Sequence, residues 1–376
     1  LCFIQHYVLP LGRILFNICY LHLNQKIVQP NIKYNLLFPA LFQEALEGEK
    51  IHCTLCPHNC ILNEGSTGIC RTRTNKKGVL YTLSYGNLCS VSVDPIEKKP
   101  LFHFFPKSRI FSIATQGCNL RCLNCQNWTI SQEGPSLDKT HKTTPEEVVK
   151  AAISQGTDSI AFTYTEPTVF YEYMLDIAKV AKQKGLRCVI ISNGYINQKP
   201  LEELCPYIDG ANIDLKCFDE DTYHKLTGGS LQPVLQTLET LKKAGIWLEI
   251  TNLMIPGWND DPTVVSQMCQ WLVMKGFKDT PIHFSRFFPN YQLQLLPPTP
   301  ENILKKATKR AKEAGMKYVY TGNLFFGGQE DTLCPKCGKL LIERTRYNVG
   351  RVEITIKSDG SGFCPDCGEK VPGIWA

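Results

Sequence analysis

From Arg109 onward, short apolar runs of β type alternate with longer stretches whose apolar positions recur with helical period. The strand candidates are RIFSIAT (109–115), SIAFTY (159–164), LRCVIIS (186–192), GANIDLK (210–216), IWLEITNLMI (246–255), PIHFSRF (281–287) and MKYVYT (316–321). Helices are predicted between them. Thr144 followed by Pro145, Glu146 and Glu147 reads as an N-cap with proline at the first helical position and acids facing the positive end of the helix dipole. KKAG (242–245) and KEAG (312–315) read as helix ends, basic and closed by a glycine that tolerates positive φ. This strand–helix alternation predicts an α/β fold with a parallel sheet, either open and doubly wound or curled into a full or partial barrel. Both architectures place chemistry at the carboxyl ends of strands.

The flanks differ from this core. Residues 48–108 carry four clustered cysteines and short alternating runs, and residues 331–376 carry four more. The predicted division is a leader (1–47), an N-terminal four-cysteine module (48–108), a β/α core (109–330) and a C-terminal zinc-ribbon-like module (331–376). The leader is apolar but interrupted by His6, Pro10, Arg13, Asn17 and His22, short of the unbroken apolar run of a membrane span. It lacks a starting Met and a small-residue cleavage site, which fits a fragment or misplaced start better than a targeting peptide.

At 376 residues and 43% apolar composition the chain can bury a large core. Its formal charge of +6 is spread among interleaved acids and bases, which gives no nucleic-acid footprint. Eighteen cysteines, mostly in C-x-x-C-type clusters, fit metal ligation in a reducing, cytoplasmic compartment better than a secreted disulfide framework.

The cysteines form three clusters. Cys118, Cys122 and Cys125, in GCNLRCLNCQNW (117–128), follow the first core strand directly and stop at three. Thiolates select zinc, copper(I) or iron–sulfur clusters, and a site with three protein ligands keeps one position open for an outside molecule. The plainer alternative is a zinc site completed by a distant His or Cys. Cys53, Cys56, Cys60 and Cys70, with His52 and His58 nearby, either close a tetrahedral zinc site or hold an auxiliary iron–sulfur cluster. Cys334, Cys337, Cys364 and Cys367 make two matched knuckles, CPKCG and CPDCG, read as a zinc (Zn2+) ribbon with a rubredoxin-like iron as the rival. Cysteines 188, 205, 217 and 269 read as small apolar packing residues.

The C-x3-C-x2-C loop after the first strand of a β/α core resembles the signature of the radical S-adenosylmethionine (SAM) superfamily. The resemblance implies a partial TIM-like barrel, a [4Fe-4S] cluster on Cys118, Cys122 and Cys125 as the catalytic centre, and SAM bound to the open iron. Reductive cleavage of SAM would then abstract hydrogen from a substrate. By the same resemblance, Glu166 in YTEPT contacts the SAM ammonium, and Ser192, Asn193, Asp214 and Lys216 match the ribose- and carboxylate-contacting residues of pyruvate formate-lyase activating enzymes. Asn252 and Ile255 are candidates to flank the nucleoside, and His283 and Arg286 to face the same mouth. Taken singly these residues also read as a helix cap, a turn or a surface ion pair; their recurrence at strand after strand favours a site. The family's aromatic residue before the third cysteine is replaced here by Asn124, with Trp128 as a substitute for adenine packing.

CTLCPHNC, EGSTGIC, DPIEKKPLFHFFP, NIDLKCF, IPGWNDD and the closing VPGIW extend the resemblance over residues 40–376 to the AmmeMemoRadiSam-system branch. That implies an association with AMMECR-domain and Memo-domain proteins; the partners expected besides are an electron donor such as ferredoxin or flavodoxin, with no membrane. The substrate expected is a protein or RNA. A glycyl-radical activase is the enzymatic alternative, and a non-catalytic metal-rich electron carrier or interaction module the other.

Overall fold

The computed structural model describes residues 37–136, 142–324 and 329–376; the first 36 residues of the expected leader lie outside them. Its centre is an eight-stranded sheet: β1 (Leu88–Pro95), β2 (Arg109–Thr115), β3 (Ser159–Phe162), β4 (Arg187–Ser192), β5 (Gly210–Asp214), β6 (Trp247–Met254), β7 (Ile282–Arg286) and β8 (Val319–Gly322). The seven expected runs form β2 to β8, all parallel, while β1 is an antiparallel edge strand that the sequence reading did not single out.

The strands lie side by side in chain order. A doubly wound sheet reverses its order midway, and this one never does, so the partial-barrel alternative is the one observed. β1 and β8 remain edges, which leaves the barrel open. Helices α1 (Pro145–Ser154), α2 (Tyr171–Gln183), α3 (Gln198–Leu204), α4 (Glu220–Thr227), α5 (Leu231–Lys243), α6 (Pro262–Met274) and α7 (Glu301–Ala314) connect the strands. The cap expected at Thr144 is a complete capping box: Glu147 N donates to Thr144 Oγ1 (3.2 Å) and Thr144 N to Glu147 Oε2 (2.7 Å). Gly315 ends α7 at φ 105°. Among the described residues no helix is long and apolar enough to cross a membrane.

Two small antiparallel sheets precede the barrel, Phe38–Pro39/Val79–Thr82/Arg73–Lys76 and Gln43–Ala45/Ile51–Cys53/Ile61–Leu62. The leader boundary expected at residue 47 therefore falls inside these sheets, because residues 38–45 pair with strands of the cysteine module. Arg73 anchors this module to the barrel. It is almost fully buried, forms an ion pair with the buried Glu172 of α2 and donates to the Leu41 carbonyl (2.8 Å).

The C-terminal module, two further three-stranded antiparallel sheets, docks on the barrel through a chain of hydrogen bonds with one consistent direction. His103 Nδ1 faces the Pro372 carbonyl (2.7 Å), which only accepts, so Nδ1 carries the proton. His103 Nε2 then accepts from the Tyr320 hydroxyl (2.6 Å), Tyr320 from the Thr332 hydroxyl (2.8 Å), and Thr332 from Arg344 Nη1 (2.7 Å). Burial, with the nearby charges of Arg344 and His283, lowers the His103 pKa from 6.5 to about 4, against the opposing pull of Glu249 and the Pro372 carbonyl. A depressed folded-state pKa contributes stability that is complete above about pH 6.5 and lost as pH falls through about 4. The expected loss across that window is about 3 kcal/mol, from the one proton the unfolded chain takes up first. Urea midpoints at neutral and mildly acidic pH check this: His103→Gln should flatten the dependence, and an unchanged slope would remove His103 as its source.

Candidate active site

The cluster loop starts at Gly117, held at φ 105° with the N-terminal module pressed against it: a Cβ there would lie 2.3 Å from Thr72 Cγ2 and 2.9 Å from the Cys70 carbonyl. Its far side is pinned to the end of α4, where Arg121 N donates to Thr227 O (2.7 Å) and Leu123 N to Leu226 O (3.0 Å). So fixed, the loop turns Cys118, Cys122 and Cys125 into one cleft at the carboxyl ends of the strands, the place barrel architecture assigns to chemistry.

Glu166, Ser192, Asn193, Asp214 and Lys216 line the same cleft. Glu166 is buried and its carboxylate ties two strand ends together. Oε1 accepts from Thr168 N (2.9 Å), Thr168 Oγ1 (2.8 Å) and Ser192 Oγ (2.8 Å), and Oε2 from Asn193 N (2.8 Å). Burial pushes its pKa up, and these four donors pull it back toward the ionised form. With roughly four lone-pair sites on a carboxylate, Glu166 is chiefly a clamp with a remaining acceptor site on Oε2. Asn193 continues the network, donating from Nδ2 to Asn119 Oδ1 (2.9 Å) and lying 3.8 Å from Cys118 Sγ. Lys216 donates to Asp214 Oδ2 (2.9 Å). Burial alone would lower the Lys216 pKa, but Asp214 and Cys122 raise it above the usual lysine value.

A second cationic wall was not foreseen. Asp94, at the end of β1, accepts from Lys98 Nζ (2.9 Å), Lys99 Nζ (2.7 Å) and the Tyr164 hydroxyl. Burial would raise the Asp94 pKa; Lys99 overrides it and holds the carboxyl well below its ordinary range. Tyr164 follows β3 at φ 66°, a strained position for a side-chain-bearing residue. Asp94 on one side and Asn127 Nδ2, which donates to the Tyr164 carbonyl (2.6 Å), on the other hold it there. Lys98, Lys99 and Tyr164 thus line the same cleft as the cysteines. The signal was the acid and paired lysines of DPIEKKP, which do not reveal that their partner lies 70 residues away.

Five expected residues do not line the cleft. Thr251 and Leu253 line it, so with the period of two along β6 Asn252 points outward, where Nδ2 donates to Leu215 O (2.7 Å) and lies 3.9 Å from Met268 Sδ of α6. His283 lies inside the barrel nearer β8, bonded to Glu249 Oε2 (2.7 Å) and stacked on Tyr320, its ring centroid 5.2 Å away. Arg286 donates from Nε to Thr299 O (2.8 Å) and covers the Phe288 ring. Ile255 packs in an apolar cluster with Leu226 and Phe287. Trp128 stacks on Tyr291 at 5.3 Å, outside the cleft lining, whereas Asn124 lies in it.

The cleft suits a soft cationic group. Burial pushes the Cys118 thiol well up and the Cys122 thiol to about 11, and Ser131 Oγ lies 3.1 Å from Cys125 Sγ. The sulfurs therefore hold protons until a metal displaces them. Asn124 lines the cleft, and its Oδ1 is buried without a hydrogen-bond partner. Among the described residues that line the cleft there is no fourth cysteine and no histidine.

A model of the radical SAM superfamily matches residues 112–266, from β2 into α6. Residues 112–266 are a radical SAM superfamily domain. Such a domain implies a [4Fe-4S] cluster and SAM. The chain is 45% identical over 332 residues to uncharacterized protein MJ0808 of Methanocaldococcus jannaschii, covering 88% of this chain and 98% of that protein. It is 26% identical over 220 residues to a pyruvate formate-lyase-activating enzyme of Staphylococcus epidermidis, covering 52% of this chain and 86% of that one. Among solved structures, Streptococcus suis SuiB bound to S-adenosylmethionine aligns with a TM-score of 0.44 at 12% identity, over 61% of this chain and 53% of that one.

At the C-terminus, Cys334, Cys337, Cys364 and Cys367 present ligand atoms all within 4.8 Å of one another, with the Cys334–Cys367 and Cys337–Cys364 sulfurs each 3.6 Å apart. That spacing is the one a single tetrahedral ion requires. Cys188, Cys217 and Cys269 are buried and Cys205 is half-buried, all packed in the main apolar core.

Proposed function

We propose that this protein reductively cleaves SAM at the Cys118/Cys122/Cys125 cleft and uses the resulting radical to take a hydrogen atom from a substrate. The observation that carries the reading is the donor set: three buried or half-buried cysteines converge on one cleft among polar strand ends, and no fourth thiol or imidazole lines it. When bound, the cluster supplies the electron that breaks the SAM sulfonium into methionine and a 5'-deoxyadenosyl radical.

The chain's own residues do the rest. The loop anchored on α4 presents the three thiolates, and Glu166 holds the ends of β3 and β4 in register with them. Lys216 and the Lys98/Lys99 pair offer ammonium groups for a carboxylate, and Asp214 offers an acceptor for hydroxyls or an ammonium. Asn124 supplies an unpaired acceptor. The C-terminal cysteines hold a zinc ion that fixes the module docked on the barrel. A one-electron donor of the ferredoxin or flavodoxin class reduces the site, and the chain acts within an AmmeMemoRadiSam-type system on a protein or RNA. Support for this finer assignment is the motif order over residues 40–376.

The test is anaerobic reconstitution with iron and sulfide, reduction by dithionite, and chromatographic detection of 5'-deoxyadenosine from SAM. A reduced, cluster-replete sample that yields none would sink the proposal in favour of an electron carrier. A glycyl radical seen by electron paramagnetic resonance after incubation with a candidate partner would shift the substrate assignment to an activase.

A further inference from the structure

Cys53, Cys56, Cys60 and Cys70 face a second cavity, lined also by apolar Leu55, Leu62, Ile69 and Val169 and by Arg73. The sulfurs of Cys60 and Cys70 both lie over Gly68, 3.8 and 3.7 Å from where its Cβ would stand. Yet the four do not close to ion-binding distance: among the described residues, Cys334, Cys337, Cys364 and Cys367 are the group whose ligand atoms all fall within 4.8 Å. A tetrahedral zinc ion with sulfurs at about 2.3 Å sets those sulfurs about 3.8 Å apart. A four-iron cube puts each thiolate on a different iron and so spreads them more widely. The same molecule thus contains both spacings, a tight one at the C-terminus and a wide one in the cleft and in the N-terminal module.

The donors around the N-terminal sulfurs point to metal-bound thiolates. Thr72 Oγ1 shares its proton between Cys70 Sγ (3.2 Å) and the Val169 carbonyl (3.1 Å), and Arg73 Nη1 donates to Cys53 Sγ (3.7 Å). Arg73 is 1% exposed, and its Nε has no hydrogen-bond partner although it borders this cavity. With Glu172 already neutralising the guanidinium, these donors stabilise metal-bound thiolates of either a cube or a zinc ion, and the choice between the two rests on the sulfur spacing. The cavity also shares a wall with the SAM cleft. His58 Nε2 is 2.7 Å from the carbonyl of Asn119, inside the cluster loop, and Thr168, which binds Glu166, lines the cavity.

We propose that Cys53, Cys56, Cys60 and Cys70 hold a second [4Fe-4S] cluster, not a zinc ion. Iron, acid-labile sulfide and zinc are to be counted on anaerobically reconstituted full-length chain, in the wild type and in a Cys118→Ser/Cys122→Ser/Cys125→Ser variant. That variant leaves the N-terminal module intact, so the readout does not depend on mutating the site in question. About eight irons and eight sulfides in the wild type, falling to about four of each in the variant, are expected for two cubes. Mössbauer spectra of the variant should retain a cube's signature, which a further Cys53→Ser/Cys56→Ser change removes. A variant without sulfide that carries zinc at both outer sites overturns the proposal. If the cleft held no cube, the wild type would already contain only about four sulfides and the triple change would leave them untouched, so the two readings fail in distinguishable ways.

Discussion

Alanine at Cys122 is expected to abolish SAM cleavage while leaving the barrel folded. Cys122 is one of three thiolates available to the cleft, and no other cysteine or histidine among the described lining residues can replace it. Changing groups that merely orient metal ligands costs 10- to 100-fold, so loss of a ligand itself should cost more than about 100-fold. The backbone on either side of Cys122 keeps its bonds to Thr227 and Leu226, so the loop's path does not depend on the thiol. The assay is 5'-deoxyadenosine release per folded chain, with circular dichroism as the folding control. Cys364→Ala is the contrast: it removes a ligand from the tight C-terminal group and should lower thermal stability while correctly folded chains keep cleaving SAM. Equal loss of turnover in both variants would contradict this division of labour.

Arg73→Ala is expected to destabilise the protein by about 3–5 kcal/mol, because it strands the carboxylate of Glu172 in the core. Both side chains are nearly inaccessible, at 1% and 2% exposure, and the pair joins the N-terminal cysteine module to α2. Burial alone would lower the Arg73 pKa, but Glu172 and the neighbouring cysteines hold it above the usual arginine value. Removing both charges together, as Arg73→Met with Glu172→Leu, should recover most of the loss, since apolar residues of similar volume satisfy such a site without leaving an unpaired ion. Urea denaturation of the single and double variants measures the difference. A double variant as unstable as the single one would show that the loss arises from the arginine's bonds to Leu41 and Cys53 instead of the stranded charge.

Much of the scaffold was legible because its signals are local. Short apolar runs bounded by turn formers placed β2 to β8 within a few residues, and the Thr144–Glu147 cap was read from four consecutive positions. β1 was missed because LCSVSVDP is a sheet edge, part-exposed along most of its length, whose small polar residues dilute the apolar run beside a proline-rich segment. The site was legible where it sits within a few residues of a strand end, as with Cys118, Glu166, Ser192, Asn193 and Lys216. It was not legible at Asn252, whose neighbours Thr251 and Leu253 occupy the cleft face; adjacent residues on a strand face opposite ways.

By itself, the order of residues determined the strand–helix alternation, the three cysteine clusters and the concentration of polar groups after successive strands, since each is set by spacing along the backbone. Only the tertiary structure decided between an open and a curled sheet, brought Asp94 and its lysines against Tyr164, and separated the tightly from the loosely spaced cysteines. Those outcomes depend on distances between segments far apart in the chain, which are fixed when buried surfaces and buried charges are satisfied together.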